Sequence, residues 1–173
     1  MFESVEKETG FDVWLLRPGV PEEAPAPLLS SPASETDPKI SPDGRWLAYA
    51  SNESGRQEIY VVSLPDGKTR YQVTTDGGRH PIWTRGGQEL FYLTTSNSVA
   101  AVPVSPGETL SFGSPVTLFP QPRPNWGTGT DQAIFDVTAD GSRVVVLVPE
   151  NEGSQTLVVV TDWLAELKKG VSR

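Results

Sequence analysis

The chain repeats itself, and that repetition restricts its fold more than any other feature. Pro38 and the run Ser41-Pro42-Asp43-Gly44-Arg45-Trp46-Leu47-Ala48-Tyr49 find a counterpart in Pro81 and Thr84-Arg85-Gly86-Gly87-Gln88-Glu89-Leu90-Phe91-Tyr92. A weaker third copy runs Thr138-Ala139-Asp140-Gly141-Ser142-Arg143-Val144-Val145-Val146. Self-similarity at a period of about 40 residues marks propeller blades or solenoid repeats, because one such unit buries its apolar face only by stacking on the next. Each copy reads as a short strand, a turn built on Asp-Gly or Gly-Gly, and a strand of bulky β-formers, with glycine supplying the positive φ of the turn.

A third strand follows each hairpin: Glu58-Ile59-Tyr60-Val61-Val62, Val99-Ala100-Ala101-Val102, and Leu157-Val158-Val159-Val160. After the first two come another turn and a fourth strand, near Tyr71 to Thr74 and Val116 to Phe119. Four antiparallel strands per unit is the arrangement of a propeller blade. The expected fold is therefore an all-β partial β-propeller of three to three and a half four-stranded blades. Its expected organisation is a tail over 1–10, part of a blade over 11–30, and blades over 34–75, 79–120 and 133–163. Residues 121–132 form an extra loop. A short helix is expected over 162–169, where Trp163, Leu164 and Leu167 share one face at helical spacing.

Composition agrees with this and removes other classes of function. Sixteen Gly and sixteen Pro punctuate a chain that is 36% hydrophobic, which favours strands joined by tight turns. A formal charge of −8 repels phosphate backbones and anionic lipid, so no nucleic acid is expected as a partner. With no Cys and a single His, thiolate and histidine-rich metal sites are excluded, and no cofactor is expected. Residues 1–10 hold three Glu and one Lys without an apolar core, so they are not a signal peptide. No stretch reaches the roughly 20 apolar residues of a membrane span, so membrane insertion by this chain is not expected.

The string Ser41-Pro42-Asp43-Gly44-Arg45-Trp46-Leu47-Ala48-Tyr49, followed by Glu58-Ile59-Tyr60, resembles the WD-like propeller repeat of the TolB type. Thr75-Asp76-Gly77-Gly78, Pro81-Ile82-Trp83 and Glu89-Leu90-Phe91-Tyr92 extend the likeness, which covers residues 11 to 163. The ending over residues 135–169 is similar to the C-terminal propeller region of bacterial serine/threonine protein kinases. That resemblance implies an extracytoplasmic or periplasmic sensing or protein-binding propeller, with about six blades in the whole ring. The chain departs from the family in being too short to close such a ring, and it carries no kinase motif.

Catalytic readings find little support in the sequence. Asp43, Asp66, Asp76 and Asp140 all precede Gly, where side-chain bonding to the turn backbone accounts for them. A Ser-His-Asp triad has no nucleophile-elbow sequence here. Asn52-Glu53-Ser54 is formally a glycosylation sequon and is read as an unmodified surface loop. Trp14, Trp46, Trp83 and Trp163 are expected to pack between blades, and His80 to lie on the loop entering the third blade.

The chain is thus expected to be non-enzymatic and to bind a protein or peptide through loops on a rigid scaffold. The residues chosen for that contact are Asn52, Glu53, Arg56, Arg79, His80, Trp126 and Asp131. Two alternatives stand beside this reading. The chain could be the gating propeller of a prolyl-oligopeptidase-like serine hydrolase whose catalytic domain lies elsewhere. It could also be a half-ring that homodimerises through open strand edges.

Overall fold

The computed structural model describes residues 2–6, 10–16, 24–105, 107–119, 135–149 and 155–161. The chain divides into two compact units, Met1–Pro81 and Ile82–Arg173.

The first unit holds two antiparallel sheets. One is ordered β1 (Phe2–Glu6), β2 (Gly10–Leu15), β3 (Ala26–Leu29). The other is ordered β4 (Glu35–Ile40), β5 (Trp46–Ser51), β6 (Glu58–Ser63), β7 (Arg70–Gln72), the four strands of one complete blade in chain order. The expected tail over 1–10 is corrected by β1, which pairs with β2 from Phe2↔Trp14 to Glu6↔Gly10. An apolar residue at every third position, Phe2 and Val5, between acids hid a strand that sheet pairing stabilises.

All six residues of β5 are buried, as expected of a continuous apolar run covered on both faces. Register sets Tyr49 opposite Tyr60 and Leu47 opposite Val62. These four side chains join Val13, with Leu28, Leu29 and Leu64 at the margin, to form the core between the two sheets. Each large apolar side chain buried there contributes roughly 1.5–3 kcal/mol. The Tyr49 and Tyr60 rings stack with centroids 5.7 Å apart, and Trp46 meets Tyr71 at 5.9 Å.

Strand β8 (Arg79–Thr84) crosses the boundary between the units. In the second unit it edges a sheet with β9 (Glu89–Leu93) and β10 (Val99–Ser105). The far side of β10 is shared by two short strands. β11 (Ser111–Phe112) pairs with its end at Val104↔Phe112, and β12 (Val116–Phe119) pairs with its start at Ala101↔Val116. A single fourth strand was expected here. The Gly113-Ser114-Pro115 break divides that edge in two.

The last sheet is ordered β13 (Phe135–Val137), β14 (Arg143–Pro149), β15 (Gln155–Thr161). Phe91, Leu93, Val99 and Ala101 pack with Phe135, Val144 and Val146 to form the core of this unit. The only helical geometry among the described residues is one 3-10 turn at Arg85–Gly87, so no described helix is long and apolar enough to cross a membrane. The expected helix over 162–169, the insertion over 121–132, Trp126, Asp131 and Trp163 lie outside the described residues.

Candidate binding loops

The residues chosen from sequence fall into separate local networks. Glu58, in an otherwise apolar strand, is the centre of the largest. It is only 1% exposed, and three groups compensate its burial. One carboxylate oxygen accepts from Arg56 Nε at 2.6 Å. The other accepts from the Thr74 hydroxyl at 2.5 Å and from the Gly77 backbone N–H at 2.8 Å. Thr74 Oγ1 in turn accepts the Ile59 N–H at 2.8 Å. The Gly78 N–H bonds the Gln57 carbonyl at 2.9 Å, and Arg56 Nη2 lies 3.8 Å from Asp76 Oδ1. The loop at 52–57 and the loop at 74–78 are therefore cross-linked through one buried carboxylate. Charge-assisted bonds of this kind are worth about 1.5–3 kcal/mol each when one end is buried.

Asn52 and Glu53 anchor the same loop on its other side. Asn52 Oδ1 accepts the Ser34 N–H at 2.8 Å, and Glu53 pairs with Arg70. The Arg70 guanidinium lies over the Tyr60 ring, 4.6 Å from its centroid, a cation–π contact of about 0.5–2 kcal/mol.

His80 is corrected from loop to strand. It is the second residue of β8 and 6% exposed. Its Nδ1 donates to Asp37 Oδ1 at 2.9 Å, and its backbone N–H donates to Asp37 Oδ2 at 3.3 Å. Both residues have left-handed backbone, φ 53 for His80 and φ 56 for Asp37, and both precede a proline at the same position of the repeat. Left-handed backbone at non-glycine residues costs of order 1–3 kcal/mol and persists only where the surroundings impose it. Here the mutual pairing of the two side chains imposes it. Arg79 is half-buried beside this pair in sequence.

No hydrogen bond or ion pair described above joins two of the chosen residues directly. Arg56 reaches the 74–78 loop, Asn52 reaches Ser34, Glu53 reaches Arg70, and His80 reaches Asp37. Sequence reasoning missed Glu58, Asp37 and Arg70. Two signals point to the first two: a lone acid at the head of the apolar run Ile59-Tyr60-Val61-Val62, and the repeated residue-before-proline position of Asp37 and His80. Among the described residues no three His, Cys, Asp or Glu side chains gather as metal ligands.

Asp43, Asp66 and Asp140 serve their turns as expected. Asp76 Oδ1 lies 3.8 Å from Arg56 Nη2.

No protein-family model and no curated protein matches the chain. Solved structures do. A TolB protein of Agrobacterium tumefaciens aligns at 17% identity over 66% of this chain and 44% of its own, with a TM-score of 0.50. A puromycin-hydrolyzing peptidase of Mycobacterium tuberculosis aligns at 24% identity over 79% of this chain and 22% of its own, with a TM-score of 0.56. The chain spans less than half the length of either structure. At these identities the likeness is one of fold, and together with the four-stranded repeat it makes this chain a partial β-propeller.

Proposed function

We propose that the chain is a non-catalytic segment of a larger propeller that binds a protein or peptide partner through the loops at 52–56 and 76–80. The observation that carries this reading is the buried Glu58 node. It holds two loops in one arrangement while the Arg56 side chain remains 54% exposed. Pre-ordered loops lose less conformational entropy on binding than mobile ones, which favours affinity. The parent protein we propose is an extracytoplasmic sensor of the kind the kinase-type ending suggests.

The test is a photo-crosslinker placed at position 56 or 79 to recover a partner, followed by titration of R56A and R79A. About tenfold weaker binding is expected from each, the scale of an interface residue that matters, and R56A should also lower the urea midpoint because it removes a donor to the buried Glu58 carboxylate. Full affinity in both variants sinks the site. Turnover of ester or peptide substrates by this chain sinks the non-catalytic reading.

A second reading is favoured by the TM-score of 0.56 to the mycobacterial peptidase: a gating propeller serving a serine hydrolase domain. An α/β-hydrolase domain in the same reading frame would support it, and its absence from the full gene would remove it. A two-chain ring is the third arrangement. Light scattering across a concentration series should give a dimer if it is right and a monomer throughout if it is wrong.

A further inference from the structure

Four aspartates of the chain precede glycine: Asp43, Asp66, Asp76 and Asp140. Such a pair can react with itself, because glycine has no side chain to keep its backbone nitrogen away from the aspartate Cγ. In a folded chain the outcome depends on what holds the carboxyl and what holds the glycine N–H.

At three of the four pairs both groups are tied into their own turn. Asp43 accepts from the Ser41 hydroxyl at 2.6 Å and from the Arg45 N–H and Nε at 3.1 and 2.8 Å. Asp66 accepts from the Ser63 hydroxyl at 3.1 Å and the Lys68 N–H at 3.3 Å, and pairs with Lys68 Nζ at 2.9 Å. Asp140 accepts from the Thr138 hydroxyl at 2.5 Å and the Ser142 N–H at 3.0 Å. These bonds hold all three carboxyls below the ordinary range, and an ionised carboxylate has no group to lose. The N–H groups of Gly44, Gly67 and Gly141 donate to the carbonyls of Ser41, Ser63 and Thr138 at 2.9, 2.9 and 2.7 Å. A peptide carbonyl is too weak a base to remove their protons.

The pair Asp76-Gly77 differs on both sides. The Asp76 side chain is fully exposed, with Arg56 Nη2 3.8 Å from its Oδ1, where solvent screens the attraction. The Gly77 N–H donates to a carboxylate, Glu58 Oε2, at 2.8 Å. Glu58 is itself buried and fixed, by Arg56 Nε at 2.6 Å and the Thr74 hydroxyl at 2.5 Å. A carboxylate held on the proton of an attacking nitrogen is a general base already in position.

We propose that Asp76 is a site of self-catalysed isomerisation to isoaspartate, with Glu58 as the general base. The Gly77 nitrogen bonds to Cγ of the protonated Asp76 carboxyl; Glu58 takes the amide proton and returns it to the departing hydroxyl, which leaves as water. A succinimide ring results. Water then adds to its main-chain carbonyl carbon, the bond from that carbon to the Gly77 nitrogen breaks, and the backbone now runs through the former side chain. Nothing is oxidised or reduced. The product has one more methylene in the backbone of the loop that Glu58 cross-links to residues 52–57, so the modification remodels that node with or without a bound partner.

The experiment follows isoaspartate at each pair by tryptic peptide mapping while the full chain ages slightly below neutral pH, in buffer and in denaturing guanidinium chloride. The four pairs fall in four different tryptic peptides. In buffer, Asp76 should isomerise on the order of a hundredfold faster than Asp43, Asp66 or Asp140, the lower end of what general-base assistance supplies. Denaturant should bring the four rates together, slowing Asp76 and speeding the others. E58Q should slow Asp76 in a chain that still protects Asp43 and Asp140. If those two sites instead react at their denatured rate, the variant has unfolded, and the wild-type comparison of buffer with denaturant decides. Similar rates at all four sites in buffer overturn the proposal. So does a slower reaction at Asp76 in buffer than in denaturant, or an unchanged rate there in folded E58Q.

Discussion

The turns at Ser41–Trp46 and Thr84–Glu89 occupy the same place in the repeat and are built by different chemistry. In the first, the Ser41 hydroxyl donates to Asp43 at 2.6 Å and accepts the Trp46 N–H at 3.0 Å. Asp43 also accepts from the Arg45 N–H and Nε, at 3.1 and 2.8 Å. The third copy repeats the pattern. Thr138 donates to Asp140 at 2.5 Å and accepts the Arg143 N–H at 3.1 Å.

The middle copy has Gly86 where the others have aspartate. Its chain winds instead into a 3-10 turn with Arg85, Gly86 and Gly87 all at positive φ. The carboxylate moves to Glu89, which pairs with Arg85 at 3.0 Å and accepts the Thr84 hydroxyl at 3.3 Å. Glu89 stands where Trp46 stands in the first copy. What the repeat requires is a hydroxyl at the turn's start, a glycine to reverse the chain and one carboxylate. Which position supplies the carboxylate is open.

The largest expected effect separates two glycines of nearly equal backbone. Gly44 and Gly141 have φ of 73 and 68, but a Cβ on Gly44 meets nothing within 4 Å, whereas one on Gly141 comes to 3.0 Å from both Arg85 Nε and Glu89 Oε2. G44A should cost about 1 kcal/mol for backbone conformation alone, and G141A about 2 kcal/mol, because it also displaces the Arg85–Glu89 pair. Equal losses in urea denaturation would mean that this pair is not seated on the third turn.

Next comes the hydroxyl. S41A removes a donor to Asp43 and leaves the buried Trp46 N–H without its side-chain acceptor, which should cost about 1 kcal/mol. T84A loses only one long bond and should cost a few tenths, ~0.3 kcal/mol. A T84A loss as large as that of S41A would show the two turns to be equivalent after all.

Acid titration distinguishes the carboxylates by sign. Hydrogen bonding from Ser41 holds Asp43 down at about 2, and Thr138 does the same for Asp140. Their stabilisation is complete above the ordinary value of 3.8 and is lost as pH falls through about 2. Burial instead holds Glu89 above its ordinary 4.5, against the pull of Arg85 and Thr84. Its contribution grows as pH falls through the raised value and levels off below 4.5. In urea midpoints measured against pH, D43N and D140N should each flatten the acid loss between 3.8 and about 2. E89Q should remove a smaller gain above 4.5. A D43N curve parallel to wild type would exclude Asp43 as the source.

Strand order, hairpin positions and the four-stranded unit at β4 to β7 were legible in the sequence, because each rests on local rules. The internal repeat and its runs of bulky β-formers placed β5, β6, β9 and β10, and Asp-Gly or Gly-Gly placed the turns between strands. β1 was missed because Phe2 and Val5 do not alternate, and its pairing with β2 is a contact between strands that no single-strand pattern encodes. The candidate site was less legible. Residues 52–56 and 76–80 could be identified as loops from turn chemistry, but the groups that fix them come from elsewhere in the chain: Ser34 for Asn52, Arg70 for Glu53, and Asp37 for His80.

The sequence by itself determined that this chain is built from repeated antiparallel β units, because runs of β-formers and glycine placement act over a few residues. Only the tertiary structure decided that Glu58 is buried and satisfied, that His80 lies in a strand against Asp37, and that Glu35 is buried at the head of β4. Those outcomes depend on which side chains from distant strands meet in a region closed to water, where each missing or gained partner carries its full electrostatic weight.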